Sequence, residues 1–225
     1  MTTLPTVLAV GVVDQERIAG SSGMHTTWKR LGVEAPGTGR TFRAAFGRSD
    51  ETFRRLDRCS RALVLATTAA DIEKVLPRDA RDDTALVVET TLGCLDADLR
   101  FAASMRTEMC DGPIFPYTLP STSLGEVALR YGLRGPSICL SVAPDAAGAS
   151  LAEASALLEN GEATFALVAT VDVLQHSVPH AEASCRAIAV LLAHRRLGLP
   201  SRIAWAGHGV TAFAELARSV QQTVR

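Results

Sequence analysis

The chain has 225 residues, 47% of them hydrophobic and 21% charged, with a formal net charge of -1 at pH 7. That length can bury a sizeable core in a single domain, and we expect residues 1–225 to form one. The near-zero charge gives no electrostatic footprint for nucleic acid, and no stretch reaches the length of a membrane-spanning helix. The cysteines, at 59, 94, 110, 139 and 185, have no C-x-x-C spacing and no regular spacing with histidine, so neither a metal site nor a disulfide framework is expected. A reducing cytoplasm is the simplest setting.

The apolar start MTTLPTVLAVGVV lacks a basic leader and reads as a buried strand over 8–13 rather than a signal peptide. Residues 20–50 hold glycines and charges without a regular period, which predicts an irregular cover with a short helix near Trp28. A basic excess over 40–61 reads as a solvated face. Phe53, Leu56, Cys59 and Leu63 recur near the helical period, predicting a helix over 53–68. TALVVET, at 84–90, is dense in β-formers and predicts a buried strand.

A helix is expected over 95–109, broken by Asp111-Gly112-Pro113. Pro116 and Pro120 predict an extended segment before a helix that ends at Tyr131. Ser121, Thr122 or Ser123 can cap that helix, Ser123 and Glu126 making a capping-box pattern, and Gly132 gives it a C-cap. Strands follow over 138–142, 165–171 and 187–192, with a short one at 204–207. Helices are expected from Pro144 or Asp145 to Asn160 and over 212–224. Strands alternating with helices predict an α/β protein, layered α/β/α around a mostly parallel mixed sheet.

The stretch from Gly135 to Asp172 is the most telling. It reads as strand, turn, small-residue helix, glycine stop and second strand. The head of a helix behind a strand presents free N–H groups that can stabilise a thiolate or an oxyanion. Here the turn holds Pro144 and Asp145, neither a thiol nor a hydroxyl. Proline suits a first helical position, and aspartate suits the positive helix end. The turn is thus a poor place for a second anion.

Four pieces carry a family resemblance: LDRCSRALVLA (56–66), TALVVET (84–90), PYTLPSTSLGEVALRYGLRGPS (116–137) and ALLENGEATFALVATVD (156–172). With them the chain resembles the N-terminal half of the β-ketoacyl synthases of the thiolase-like superfamily. It is most similar to the chain-length-factor type of non-condensing subunit in type II polyketide synthases. The resemblance implies a thiolase-like half-fold. In that family an alanine precedes the condensing cysteine at the head of a helix; here Ala143 precedes Pro144, so the cysteine position falls on Pro144. The family's two catalytic histidines belong to a C-terminal half that nothing here resembles. His176, His180, His194 and His208 do not carry that pattern.

The resemblance therefore implies no catalytic residue, with Pro144 and Asp145 marking a vestigial position, and no cofactor bound directly. It implies pairing with a catalytic ketosynthase as a heterodimer or heterotetramer. Phosphopantetheine would be delivered to that partner by an acyl carrier protein. Phe115, Pro116, Tyr117, Thr118 and Leu119 would lie near the dimer interface and acyl tunnel; core packing is the competing account of their rings. One alternative is an acyltransferase or thiolase-like enzyme with a relocated nucleophile. It would use Cys139 or Cys94 with His176, His180 or His208 as base. Another is a self-associating scaffold.

Overall fold

The computed structural model describes residues 5–21, 23–34, 37, 39–106, 110–143, 146 and 148–201. Pro144, Asp145, and the elements expected over 204–207 and 212–224 lie outside the described residues. Seven strands form one sheet: β1 Thr6–Val13, β2 Arg17–Gly20, β3 His25–Thr27, β4 Thr84–Thr90, β5 Ser137–Ser141, β6 Phe165–Leu174 and β7 Ser184–Ala193, in the order β3-β2-β1-β7-β6-β4-β5. The helices are α1 Trp28–Leu31, α2 Gly39–Phe46, α3 Arg58–Ala69, α4 Ile72–Val75, α5 Leu95–Ser104, α6 Ser121–Tyr131 and α7 Ala149–Glu159.

The α/β architecture is as expected, but parallel pairing is confined to one end of the sheet. Only β4–β5 and β4–β6 run parallel; the other pairings are antiparallel. The reason is the connections. α5 and α6 lie between β4 and β5, and α7 between β5 and β6, which lets those strands return in the same direction. β6 turns directly into β7 and pairs with it in register from Phe165 opposite Ala193 to Leu174 opposite Ser184. β1 likewise turns directly into β2.

Alternation sorts each strand between two faces. On one face Leu167, Ala169, Ala189 and Leu191 pack with Ala62, Leu63 and Ala66 of α3. On the other, Val87, Ala166, Val168 and Val190 pack with Leu151, Ala154 and Leu158 of α7. α3 is buried on nearly every side, so its apolar residues have no single stripe. It begins at Arg58, not Phe53, because Asp57 accepts from the backbone N–H of Cys59 and Ser60 and so sets the N-cap.

Two other local expectations change. Gly112–Thr118 is a 3₁₀ helix rather than an extended segment; the φ that proline imposes is as compatible with that turn as with extension. α6 starts at Ser121, so Ser123 lies inside it and its hydroxyl donates to the Pro120 carbonyl instead of capping. Gly132 does close α6 in the left-handed conformation. The region 20–50 holds more regular structure than its sequence suggests, since β2, β3 and α2 are short elements held by tertiary contacts.

The seating of α3 on β1 and β2 depends on glycine. A Cβ at Gly11 would come within 1.9 Å of the Ala66 carbonyl oxygen, and one at Gly20 within 1.8 Å of that of Ala69. Those atoms are backbone and cannot rotate away. Gly11→Ala should therefore lower unfolding free energy by about 3 kcal/mol. Gly112→Ala, where a Cβ meets nothing, should stay within about 0.5 kcal/mol. Urea denaturation of both variants checks this; equal effects would refute the tight seating.

Candidate functional site

The strands β4, β5 and β6 end on the same edge of the sheet. The carboxyl edge of parallel strands is where α/β folds usually build their sites. Here that edge is occupied by buried carboxylates. Glu89 of β4 is 1% exposed. Its Oε1 accepts the N–H of Gly148 at 2.9 Å, and its Oε2 accepts the N–H and the hydroxyl of Ser150, both at 2.8 Å. Gly148, at φ 101°, is the N-cap of α7, so a side chain from a neighbouring strand caps this helix. α7 begins at Ala149, later than the predicted Pro144 or Asp145. Of the described groups, Glu89 is the anion that answers its positive end.

The next turn repeats the pattern. Asp172, near the end of β6, accepts at Oδ1 from the Thr90 hydroxyl at 2.9 Å and from the N–H groups of Thr91 and Leu92 at 2.8 Å. Asp96, in the first turn of α5, pairs with Arg58 at 3.1 Å and accepts the Gln175 N–H at 2.9 Å. Asp57 caps α3 beside them. Burial pushes the Asp57 carboxyl above its ordinary range despite the backbone N–H groups it accepts. Among the described residues, the N–H groups of Gly148, Ser150, Thr91 and Leu92 are thus taken by resident carboxylates.

None of these acids was singled out from sequence. The signal was present: Glu89 and Asp172 interrupt strands otherwise made of buried apolar residues, and a charge there needs a dedicated set of partners.

Four of the thiols, Cys59, Cys94, Cys139 and Cys185, are raised above their ordinary value. Cys94 Sγ lies 3.2 Å from Asp98 Oδ2 and 3.0 Å from the Thr118 carbonyl, either of which can accept its one proton. Burial, and then Asp98, push it up to about 11. Burial alone raises Cys139. Cys59 is raised well above its ordinary value by burial and then by Asp57 and Asp172. A cleft of about 430 Å³ between the start of α3 and the β6–β7 turn brings His176 and Cys185 into one lining with Arg58 and Arg61. Yet burial, with Asp14 second, pushes Cys185 up to about 12. Both arginine heads are engaged, Arg58 with Asp96 and Arg61 with the carbonyls of Phe53, Gly37 and Arg54. Among the described residues no histidine hydrogen-bonds a cysteine, and no cluster of metal-ligating side chains occurs. His180 lies in the β6–β7 turn, where Val178 bridges Ala181, and His194 caps the 3₁₀ turn Arg195–Leu197; His208 lies outside the described residues.

Phe115, at 59% exposure, and Leu119, at 61%, project from the surface, and Pro116 is exposed with them. Core packing therefore does not account for them. Tyr117 and Thr118 are partly covered; the Tyr117 hydroxyl lies 3.3 Å from both Arg55 O and Glu126 Oε1, either of which can accept its one proton. Phe115 packs against Phe101 of α5 with the rings tilted by 51° and their centroids 5.3 Å apart, and Leu99 and Met105 are exposed as well.

This half-fold, a mixed sheet between helices with one parallel end, is that of the thiolase-like ketosynthases. The family described as "Beta-ketoacyl synthase, N-terminal domain" matches residues 14–194, and the chain belongs to it. No curated protein matches the chain. Among solved structures it is similar to "The ishigamide ketosynthase/chain length factor", at 17% identity and a TM-score of 0.64, covering 86% of this chain and 63% of that one. It is also similar to the ketosynthase ApeO in complex with its chain length factor ApeC from Xenorhabdus doucetiae, at 19% identity and a TM-score of 0.56, covering 85% and 80%. A third is the AntDE:AntF complex of a type II acyl-carrier protein with its ketosynthase bound to the hexaketide, at 16% and 0.63, covering 88% and 64%. The chain thus spans a little under two thirds of the first of these. Among the described residues no helix is long and apolar enough to cross a membrane.

Two measurements probe the edge. Glu89→Ala leaves three buried donors without an acceptor and should cost about 2–4 kcal/mol in chemical denaturation, with Glu89→Gln costing less. In iodoacetamide labelling near neutral pH, exposed Cys110 should react first. Cys94, Cys139 and Cys185 should stay slow, since only the thiolate reacts. Rapid labelling of any of those three would restore a nucleophile to the discussion.

Proposed function

We propose that the chain is a non-condensing, chain-length-factor-type subunit that pairs with an active ketosynthase and shapes its acyl tunnel in carrier-protein-dependent polyketide or polyene biosynthesis. The observation that carries the reading is Glu89 at the head of α7. A condensing enzyme needs free donors where charge develops, whereas here a buried carboxylate holds both backbone N–H groups and the Ser150 hydroxyl. An acyl thioester seated there would meet a resident negative charge. Pro144 at the family's cysteine position agrees with that. The chain itself would bind no cofactor; the phosphopantetheine would arrive on the carrier protein, at the partner's site.

Two surfaces favour an assembly. β5 ends the sheet, and among the described residues no strand pairs with its outer side. An open edge of this kind is a template for another chain. The exposed Phe115, packed on Phe101, offers apolar surface of the kind that marks protein contacts when it is contiguous.

The test is co-expression with a ketosynthase, followed by size-exclusion chromatography with light scattering and assay with acyl carrier protein. The expected result is a defined hetero-complex that condenses only through the partner, while the chain alone aggregates or self-associates. Pro144→Cys should gain no condensing activity. A well-behaved monomer that no ketosynthase binds would overturn the reading. A homodimer indifferent to ketosynthase would favour a self-associating scaffold, and condensation by the chain alone an enzyme.

A further inference from the structure

On the side of the sheet where β4 and β5 begin, a second pocket of about 160 Å³ is lined by Phe42, Arg48, Asp50, Glu73, Arg81 and Arg130, with Ser49 and Tyr131 completing it. Its floor is the buried ring of Phe42. The guanidinium carbons of Arg48 and Arg130 lie 5.9 and 5.8 Å from that ring's centroid. Such cation–π placement holds both heads in position. Arg130 is ion-paired to Asp50, and both side chains are largely buried. Arg48 reaches Glu73 at 3.4 Å with both side chains well exposed.

Arg81 differs from the other two. It lies in the 3₁₀ turn Arg78–Asp83, which leads into β4. Its Nε is shut off from solvent and has no hydrogen-bond partner. Among the described residues its guanidinium also makes no ion pair. Asp50 and Glu73 are matched by Arg130 and Arg48, which leaves Arg81 as the uncompensated charge of the pocket. Arg81 as a whole is half-buried, so its outer nitrogens rather than Nε would meet a ligand in the pocket.

We propose that this pocket is a binding site for a tetrahedral oxyanion, a phosphate group held by Arg81 with help from Arg48. The planar fork of arginine matches phosphate oxygens pairwise. Asp50 helps indirectly. Burial pushes its carboxyl up, but the Arg130 hydrogen bond, the Phe53 N–H and the Arg130 charge bring it below its ordinary value. It therefore stays ionised and keeps Arg130 fixed at neutral pH. The site lies away from the acid-capped edge and does not depend on which subunit condenses.

The experiment is a thermal-shift and calorimetric titration of the purified chain, or of its complex with a ketosynthase. The probes are inorganic phosphate, phosphopantetheine and, as the phosphate-free control, pantetheine, all at matched ionic strength in chloride. Phosphate or phosphopantetheine should raise the melting temperature and pantetheine should not; the two active probes distinguish a free ion from a phosphate ester as the natural source. Arg81→Gln should weaken binding at least roughly tenfold, and Arg81→Lys less, because it keeps the charge and loses the fork. Should Arg81→Gln not fold, Arg48→Ala is read in its place by the same criterion. Absence of binding by both phosphate probes, or binding unchanged in the variant, would overturn the assignment.

Discussion

One constraint organises the carboxyl edge: a charge inside a protein must be given partners, and those partners are then unavailable for anything else. Glu89 points from the fully buried strand β4 to the head of α7 and takes its first donors. This contact fixes where α7 starts. α7 in turn covers β4 and β6 on that face through Leu151, Ala154 and Leu158. The same carboxylate thus seats a helix and answers its positive end.

The neighbouring acids extend the principle. Asp172 orders the turn after β4, Asp96 ties α5 to α3 and to the β6–β7 turn, and Asp57 starts α3. Each carboxylate holds the beginning of a helix or turn, and Asp96 is the one of the four with an ion-pair partner among the described residues. A catalytic edge in an α/β fold leaves such amides facing the ligand.

The opposite face shows how small residues serve architecture. α3 carries alanines where it crosses β1 and β2, and those strands answer with Gly11 and Gly20. Backbone then rests almost on backbone, and the helix can be buried on nearly all sides. The long antiparallel ladder of β6 and β7 continues this core toward β1.

Much of this was legible in the chain itself. The β-rich run of β4, the period of α6 with its terminal Gly132, the small-residue helix α7 and the strands β5, β6 and β7 follow from local pattern, because burial and backbone preference act on neighbouring residues. The family resemblance also rests on such local runs, and the family match over 14–194 agrees with it. Strand direction did not follow, since it depends on which connection crosses the sheet. Short elements such as β2, β3 and α2 escaped because they are held by contacts distant in sequence. Glu89 and Ser150 stand 61 positions apart, and Arg81 comes from the 3₁₀ turn before β4 while Arg130 comes from α6. Composition and periodicity determined that a layered α/β core would form; only folding in three dimensions decided which charges met a partner and which were left waiting for one, since electrostatic pairing depends on distance in space and not along the chain.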